Sequence, residues 1–386
     1  HCCAHRAYVR RATASFAVNS ARLPGDGFYR DRRVLVTGYA GFKGSWLSRW
    51  LTLLGADVRG FGRSAHVGST EHPGTRSRAG VTGTAGDIRD GTALSDAVSR
   101  ARPEVVFHLA AQANVLRSYR DPAATFEINV LGTVRLLEAC ASYDGVRAVI
   151  IVTSDKCYAE SDHPHVESDP LGGTDPYSAS KAAAELAVAA WRSVHHQPWV
   201  ATVRAGNVIG GGDWAADRVV ADLARAAQRG CPAELRRPGA VRPWQHVLEP
   251  LAGYLELGAR LVQEGGSFAR AWNFGPDPRT ARSVAELATE FAARWAAHAG
   301  QAAPPPVVVG EPGPPERMSL TLDSRAAADR LGWQNVLSFE QAVDMTAQWY
   351  ARSTVDAGFD AAELMDQQIR QYQEHTERLR EAIAVA

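Results

Sequence analysis

Apolar positions along this 386-residue chain fall into two alternating textures. Short runs of Val, Ile and Leu lie between longer stretches in which apolar residues recur every three or four positions. "RVLVT" (33–37) predicts a first strand and "FKGSWLSRWLTLLG" (42–55) a helix closed by Gly55. "DVRGFG" (57–62), a short run within "GVTGTAGDI" (80–88), "EVVFHLAA" (104–111), "RAVIIVTS" (147–154) and "WVATVRAG" (199–206) predict strands two to six. Helical patterns fill the intervals, notably 122–143 and 177–193. Continuous apolar strands separated by amphipathic helices signal a parallel sheet covered on both faces. The expected fold class is α/β, a doubly wound parallel sheet with a second, smaller substrate-binding lobe.

After residue 206 the texture changes. Gly, Pro and Trp gather in short motifs such as "GGGDW", "RRPGAVRPWQH", "NFGPDP" and "EPGPPER", with helical patterns at 216–229, 282–298 and 338–351 between them. Residues 302–316 read as a Pro-rich loop around a short strand. The expected organisation is a disordered leader (1–27), a nucleotide-binding domain (28–206), a substrate lobe with segments returning to the first domain (207–352) and a C-terminal helical tail (353–386). Residues 1–25 hold arginines but no Asp or Glu. An upstream translated leader or cloning remnant explains them better than a transit peptide.

Composition narrows the partners. The formal net charge is zero, which gives no support for nucleic-acid or membrane-surface binding. No window approaches the roughly 18 apolar residues of a membrane span. The five cysteines show neither a zinc spacing nor a disulfide framework, so a reducing cytoplasm is the expected setting and no metal site is assigned. Only three lysines, Lys43, Lys156 and Lys181, stand among 39 arginines. A chain that uses Arg for ordinary positive charge points, at its few lysines, to work that a permanently charged, bulkier guanidinium cannot do.

All three lysines fall in motifs. "VTGYAGFKG" places Gly38, Gly41 and Gly44 in a G-x-x-G-x-x-G pattern between a predicted strand and a predicted helix. Glycines there permit a tight turn and close backbone approach, and the helix N-terminus offers N–H groups to a pyrophosphate. The second strand ends at Arg63 rather than an acid, which suits an extra phosphate on the ribose or a solvated side chain. Asp87 suits an adenine-side contact or a helix cap. "DPYSASKAAAE" sets Tyr177 and Lys181 four apart, on one helix face. An ammonium beside a phenol favours the phenolate and prepares the tyrosine to take a proton as hydride leaves the same carbon. Ser154, Asp155 and Lys156 follow the fifth strand, where ligands of open parallel sheets bind.

The glycine motif, "HLAAQ", the serine and the Tyr/Lys pair together resemble the extended short-chain dehydrogenase/reductase family. "GFKGSWLS", "TSDKCY", "DPYSASK", "RAGNVIGGGDWAADR", "RPWQHVLEPL" and "WNFGP", spread over about residues 28–350, narrow the resemblance to its sugar-nucleotide 4,6-dehydratases, those acting on CDP-glucose in particular. The resemblance implies a hydro-lyase that oxidises a hexose at C4, removes water across C5 and C6, and returns hydride to C6. It implies NAD as cofactor, with Arg63 leaving NADP open, held by Thr37, Gly38, Gly41, Phe42, Lys43, Gly44, Arg63, Asp87, Ile88, Leu109, Ala110, Ala111, Gln112, Asn129, Tyr177 and Lys181. Catalysis would fall to Ser154, Asp155, Lys156, Tyr177 and Lys181. Asp155 would protonate the departing hydroxyl and Lys156 take the C5 proton. Asn207, Arg218, Arg242, His246 and Arg317 would grip the nucleotide sugar, although a packed core histidine describes His246 equally well. Trp214 and Trp244 read as core. A homodimer is implied.

The chain departs from that pattern at Tyr39, where the family carries His, at "ANVLRSY" (113–119), in the short segment "AESDHPHVESDP" and at Met318. These changes leave the base and hexose open, and an epimerase or a dehydratase for another nucleotide sugar stays in view. A nucleotide-binding scaffold without activity is the alternative of another class.

Overall fold

The computed structural model describes residue 25 and residues 27–63, 80–301, 308–310 and 319–385. The leader, Arg317 and Met318 lie outside these, as does most of the Pro-rich loop. Seven strands build one parallel sheet: β1 (Arg33–Thr37), β2 (Asp57–Gly62), β3 (Val81–Ala85), β4 (Val105–His108), β5 (Ala148–Val152), β6 (Trp199–Arg204) and a later strand, β11, described below. The six expected strands are present; β1 and β2 match, β6 is trimmed at its carboxyl end, β4 and β5 are trimmed at both ends, and β3 lies within its expected run. "HLAAQ" leaves the sheet after His108, because the chain there must turn out toward a ligand edge.

The central strands β1, β4 and β5 are apolar on both faces because each face has its own core. Val34, Val36, Val105, Phe107 and Ile150 join one apolar cluster, while Leu35, Val106, Val149 and Ile151 join another. The helices that cover the faces are α1 (Phe42–Leu53), α2 (Gly91–Ala101), α3 (Val115–Arg120), α4 (Pro122–Phe126), α5 (Gly132–Ala141) and α6 (Pro176–Val194). The helix expected at 122–143 is interrupted. Glu127–Leu131 forms a π turn between α4 and α5. Such a turn re-aims side chains, and insertions of this kind gather at functional sites.

The second lobe begins with β7 (Val208–Ile209), α7 (Val219–Arg229), β8 (Glu234–Leu235), β9 (Val241–Arg242) and β10 (Gln245–His246). The long α8 (Leu248–Glu264) is buried along most of its length against the β1–β4–β5 face. β11 (Ala271–Asn273) then pairs in parallel with β6 and completes the sheet. β12 (Arg282–Ser283), α9 (Val284–Ala299), β13 (Val308–Val309), α10 (Arg325–Leu331) and α11 (Phe339–Val355) follow. The last helix, α12 (Ala361–Val385), returns to the first lobe. Asp366 pairs with Arg49 of α1, and the Tyr372 ring packs edge-on against Trp50 at 5.7 Å. The sheet order β11-β6-β5-β4-β1-β2-β3 reverses direction between β1 and β4. A crevice opens at that reversal, beyond the carboxyl ends of the strands.

Candidate active site

The glycine turn sits on the crevice. Gly38 has φ +69°, a conformation that L side chains rarely adopt, and a Cβ there would lie 2.6 Å from the Ala110 backbone N. A Cβ on Gly44 would lie 2.1 Å from the Gly38 carbonyl O. Gly41 caps α1 with no side chain, and no acid lies in the first turn. These residues fit a dinucleotide: backbone approaches closely, and the positive end of the helix stays open to a pyrophosphate. Thr37 braces the β1/β4 junction. Its Oγ1 meets His108 Nδ1 at 2.7 Å and accepts from the Ala110 N–H at 3.3 Å. Leu109 N–H donates to the Thr37 carbonyl, and half-buried Ala111 continues this wall. Burial pushes the His108 imidazole down to about 3, so it is neutral.

Asn129 stands in the π turn and grips the backbone of Gln112 from both sides, accepting from its N–H at 2.8 Å and donating to its carbonyl at 3.0 Å. It also donates to Ser180 Oγ on α6. Ile88 is buried against Gly132. Asp87 is taken by Arg89, which bonds both its oxygens and holds it below the usual carboxylate range. The cap of α2 is Asp90, accepting from Ala93 N–H at 3.0 Å, so Asp87 is not a cap. Arg63 is exposed just past β2, close enough for its charge to act on Asp87. The Tyr39 ring lies flat over β2 and β3, where Gly60 and Gly83 pair. A Cβ on either would fall 2.4 Å or 2.1 Å from Tyr39 atoms. This departure from the family pattern therefore bears on the β2–β3 end, where a dinucleotide places its adenosine, and not on a hexose.

The catalytic candidates converge beyond β5. Ser154 Oγ donates to Asp155 Oδ1 at 2.9 Å and also bonds the Tyr177 phenol, so one hydroxyl joins the two. Asp155 is buried, and its Oδ2 lies against the backbone of Gly206, where a Cβ would come within 1.7 Å. Lys156 is half-buried in the same 3-10 turn. Asp175 caps α6 and Pro176 opens it, which sets Tyr177 and Lys181 on its buried face. The expected lowering of the phenol by Lys181 is not what the structure gives. Burial raises the Tyr177 phenol, against the pull of Ser154 and the Arg218 charge. Lys181 instead donates to the Val152 carbonyl at 3.2 Å, and desolvation brings it down to about 8. Lys43, half-buried in the first turn of α1, is likewise brought down to about 8 by desolvation. It feels the charges of Asp155, Arg218, Lys181 and Asp213.

The second lobe contributes unevenly. Asn207 is held at φ +53°, and its buried Nδ2 has no partner, an open donor beside Gly206. Arg218 caps α7 and donates to the Ala113 carbonyl at 2.9 Å, bridging the lobes. Asn114 braces the same seam, donating to the Ala216 carbonyl at 3.0 Å. Phe42 packs against Gly210 across it. Arg242 is buried on β9, opposite Arg282. His246 is completely buried, its ring edge-on to Trp46 at 5.7 Å, and burial brings it down to about 3. Its place is the core beneath α1. Trp244 is buried as expected, with Nε1–H on the Arg282 carbonyl.

Sequence reasoning missed a buried ion pair beneath Lys181. Arg204 reaches Glu185 through Nε and Nη2, both at 2.9 Å, and donates through Nη1 to Tyr158 Oη at 2.6 Å. Two signals pointed there. Glu185 follows Lys181 by four on the buried face of α6, and an arginine ends an otherwise apolar strand, where a charge requires a partner.

A cradle at the switch point beside a Ser–Tyr–Lys cluster defines a dinucleotide-dependent oxidoreductase-type fold. The chain belongs to the NAD dependent epimerase/dehydratase family, whose model matches residues 34–264. It is 40% identical over 333 residues to the CDP-glucose 4,6-dehydratase of Salmonella typhimurium, covering 84% of this chain and 91% of that one. The dTDP-glucose 4,6-dehydratase of the same organism is 26% identical over 349 residues, 83% of this chain and 93% of that one. Among solved structures, the dTDP-glucose 4,6-dehydratase of Streptomyces venezuelae with NAD bound superposes with TM-score 0.68 at 25% identity, covering 84% and 99% of the two chains.

Proposed function

We propose that the protein is a nucleotide-sugar 4,6-dehydratase that turns CDP-glucose into its 4-keto-6-deoxy product with tightly held NAD. The observation that carries this is the Asp155–Lys156 pair at the end of β5, with Asp155 buried and joined through Ser154 to Tyr177. Oxidation and re-reduction at C4 need only the Tyr/Lys pair, whereas water elimination also needs an acid at C6 and a base at C5. Identity of 40% to the CDP-glucose enzyme, against 26% to the dTDP-glucose enzyme, supports cytidine over thymidine.

NAD, which the glycine turn (38–44) and the N-terminus of α1 would hold, would supply the acceptor for hydride from C4 and its source at C6. Tyr177 takes the C4 hydroxyl proton as its phenolate, the form that the Ser154 hydrogen bond and the Arg218 charge favour against burial. Once C4 is a ketone the C5 proton is acidic, and Lys156 removes it and gives a proton back to C5 after hydride reaches C6. Asp155 delivers a proton to the C6 hydroxyl, which leaves as water. Arg218, Arg242 and Asn207 hold the diphosphate and sugar, where a guanidinium offers two parallel donors. Arg317 belongs to this set by family pattern alone, and His246, completely buried, is withdrawn to a packing role. Lys43 approaches the cofactor or substrate phosphates.

The protein works as a homodimer in the cytoplasm. Exposed Tyr119, Phe126, Leu131 and Leu186 on or between helices α3 to α6 support pairing through that side. The three described cysteines are free, and no helix among the described residues is long and apolar enough to cross a membrane. Incubation of the protein with CDP-glucose and with dTDP-glucose tests the reading. The expected result is loss of one water and a 4-keto chromophore with the cytidine sugar. Product with unchanged mass would make the enzyme an epimerase, and none from either sugar would refute the dehydratase.

A further inference from the structure

The segment that follows Tyr158 carries a second cluster of chemistry, away from the site described above. Residues 159–171 form an excursion closed at its base by a bridge between Tyr158 and Leu171, with Ala159 N–H on the Pro170 carbonyl at 2.9 Å. Inside it, the ring nitrogens of two histidines converge on one carboxylate oxygen. His163 Nε2 lies 3.0 Å and His165 Nδ1 3.1 Å from Asp169 Oδ2. The three ligand-type atoms lie within 4.8 Å of one another.

We propose that His163, His165 and Asp169 form a site for a divalent zinc-class cation. A tetrahedral zinc with bonds of about 2.0–2.1 Å holds its ligand atoms about 3.3 Å apart, so the two nitrogen–oxygen separations need only a few tenths of an ångström of opening, and the two nitrogens, within 4.8 Å of each other, settle to the same spacing through the exposed His163 side chain. Two imidazoles and a carboxylate suit zinc better than magnesium or calcium, which prefer all-oxygen surroundings. The ligands are also oriented. Ser161 Oγ meets His163 Nδ1 at 2.8 Å, the bond on the far nitrogen that fixes the ring of a metal-ligating histidine. His165 is buried and stacked on Tyr158, with ring centroids 4.4 Å apart and planes inclined by 2°. Its backbone pairs with Thr321 and Asp323, which anchors the site to the second lobe. His163 is on the surface, which leaves an entry path and a fourth position for water. On binding, the His163 ring proton moves from Nε2 to Nδ1, where Ser161 Oγ accepts it, the His165 ring proton moves from Nδ1 to Nε2, and Asp169 exchanges two ring hydrogen bonds for the metal while keeping the Val166 N–H. The cation would staple the excursion to the Tyr158 ring, two residues beyond Lys156.

Metal-stripped protein titrated with Zn2+ against a chromogenic chelator tests this, in a background with Cys2, Cys3 and the half-buried Cys231 replaced by Ser to remove accessible thiols. The expected result is one equivalent per chain at micromolar affinity or tighter, weakened by at least about tenfold in His163→Ala and in Asp169→Asn. Co2+ in place of zinc should give a visible spectrum without a thiolate band. His163 is exposed, so its variant folds. Equal affinity in wild type and His163→Ala, a thiolate band, or no binding would each overturn the site.

Discussion

Gly206→Ala tests the geometry around Asp155 with a single methyl group. A Cβ at position 206 would lie 1.7 Å from Asp155 Oδ2, 2.2 Å from Cγ and 2.8 Å from Oδ1. Cβ contacts below 3.0 Å do not occur, so the carboxylate must retreat by about 1.3 Å, which breaks or stretches its bond from Ser154. Displacing a catalytic group by about 1 Å costs on the order of 10²-fold, or about 2.7 kcal/mol in the barrier. The loss should fall most heavily on elimination and less on C4 oxidation, because Ser154 still bonds the Tyr177 phenol when Asp155 retreats. The assay is single turnover with CDP-glucose, reading reduced nicotinamide and dehydrated product together. Gly206→Ala should show a lasting rise in reduced nicotinamide with slow product. Overpacking of this kind costs about 1–3 kcal/mol of stability, so thermal melting and bound NAD are read on the same sample, and Asp155→Asn serves as a variant without the added bulk. Folded Gly206→Ala that dehydrates at the wild-type rate would refute the placement of Asp155 as the acid.

Tyr177→Phe should abolish C4 oxidation, a loss of roughly 10²–10⁴-fold, with no reduced nicotinamide in single turnover; a normal burst would remove Tyr177 from the proton path. Lys156→Ala should oxidise but not eliminate, and dehydration at full rate would end its role as base. Lys43→Met removes a cation from the first turn of α1 and should lower retained NAD or sugar-nucleotide affinity by about tenfold or more, one charge-assisted bond; native mass spectrometry showing unchanged occupancy and affinity would contradict it. Burial pushes Glu249 up to about 7, against bonds from Leu337, Tyr372 and Val336. An acid raised by folding is ionised more easily in the unfolded chain, so its penalty is absent below about pH 4.5 and grows to about 3 kcal/mol above pH 7. The melting temperature of Glu249→Gln relative to wild type should therefore rise with pH across that window, and a pH-independent difference would reject the raised value.

The sheet was legible because burial on both faces writes itself into continuous Val/Ile runs. β1 matches to the residue for that reason, and β2, though it carries Asp57 and Arg59, matches too. The glycine cradle and the Tyr177–Lys181 face were legible from short-range geometry, a strand followed by a helix and a spacing of four. The π turn was not. Nothing in "EINVL" distinguishes it from the helix around it, and its reason, Asn129 clamping the Gln112 backbone, is a contact seventeen positions away. The β11 strand is three residues long, too short to show a period. The place of Tyr39 was hidden for a different reason. The sequence marks it as a departure near the cradle, but only the sheet register sets it across the glycines of β2 and β3.

The scarcity of lysine acquires a physical sense from the charges packed around Lys181. Glu185, one turn further along α6, is the natural counter-ion for its ammonium. Yet Glu185 is already matched. Although burial pushes it up, Arg204, Thr153 and Thr202 together hold it below the usual carboxylate range. Its two oxygens are spent on Arg204, Thr153 and Thr202, so the ammonium is left with a single neutral carbonyl, that of Val152. A guanidinium placed there would need about five acceptors where one is offered. A desolvated ammonium instead responds by becoming easier to deprotonate, as Lys181 and Lys43 both do. Arg therefore serves where charge must be permanent and fully bonded, as at Arg204, and Lys where a buried cation must stay small, incompletely bonded and free to yield its proton.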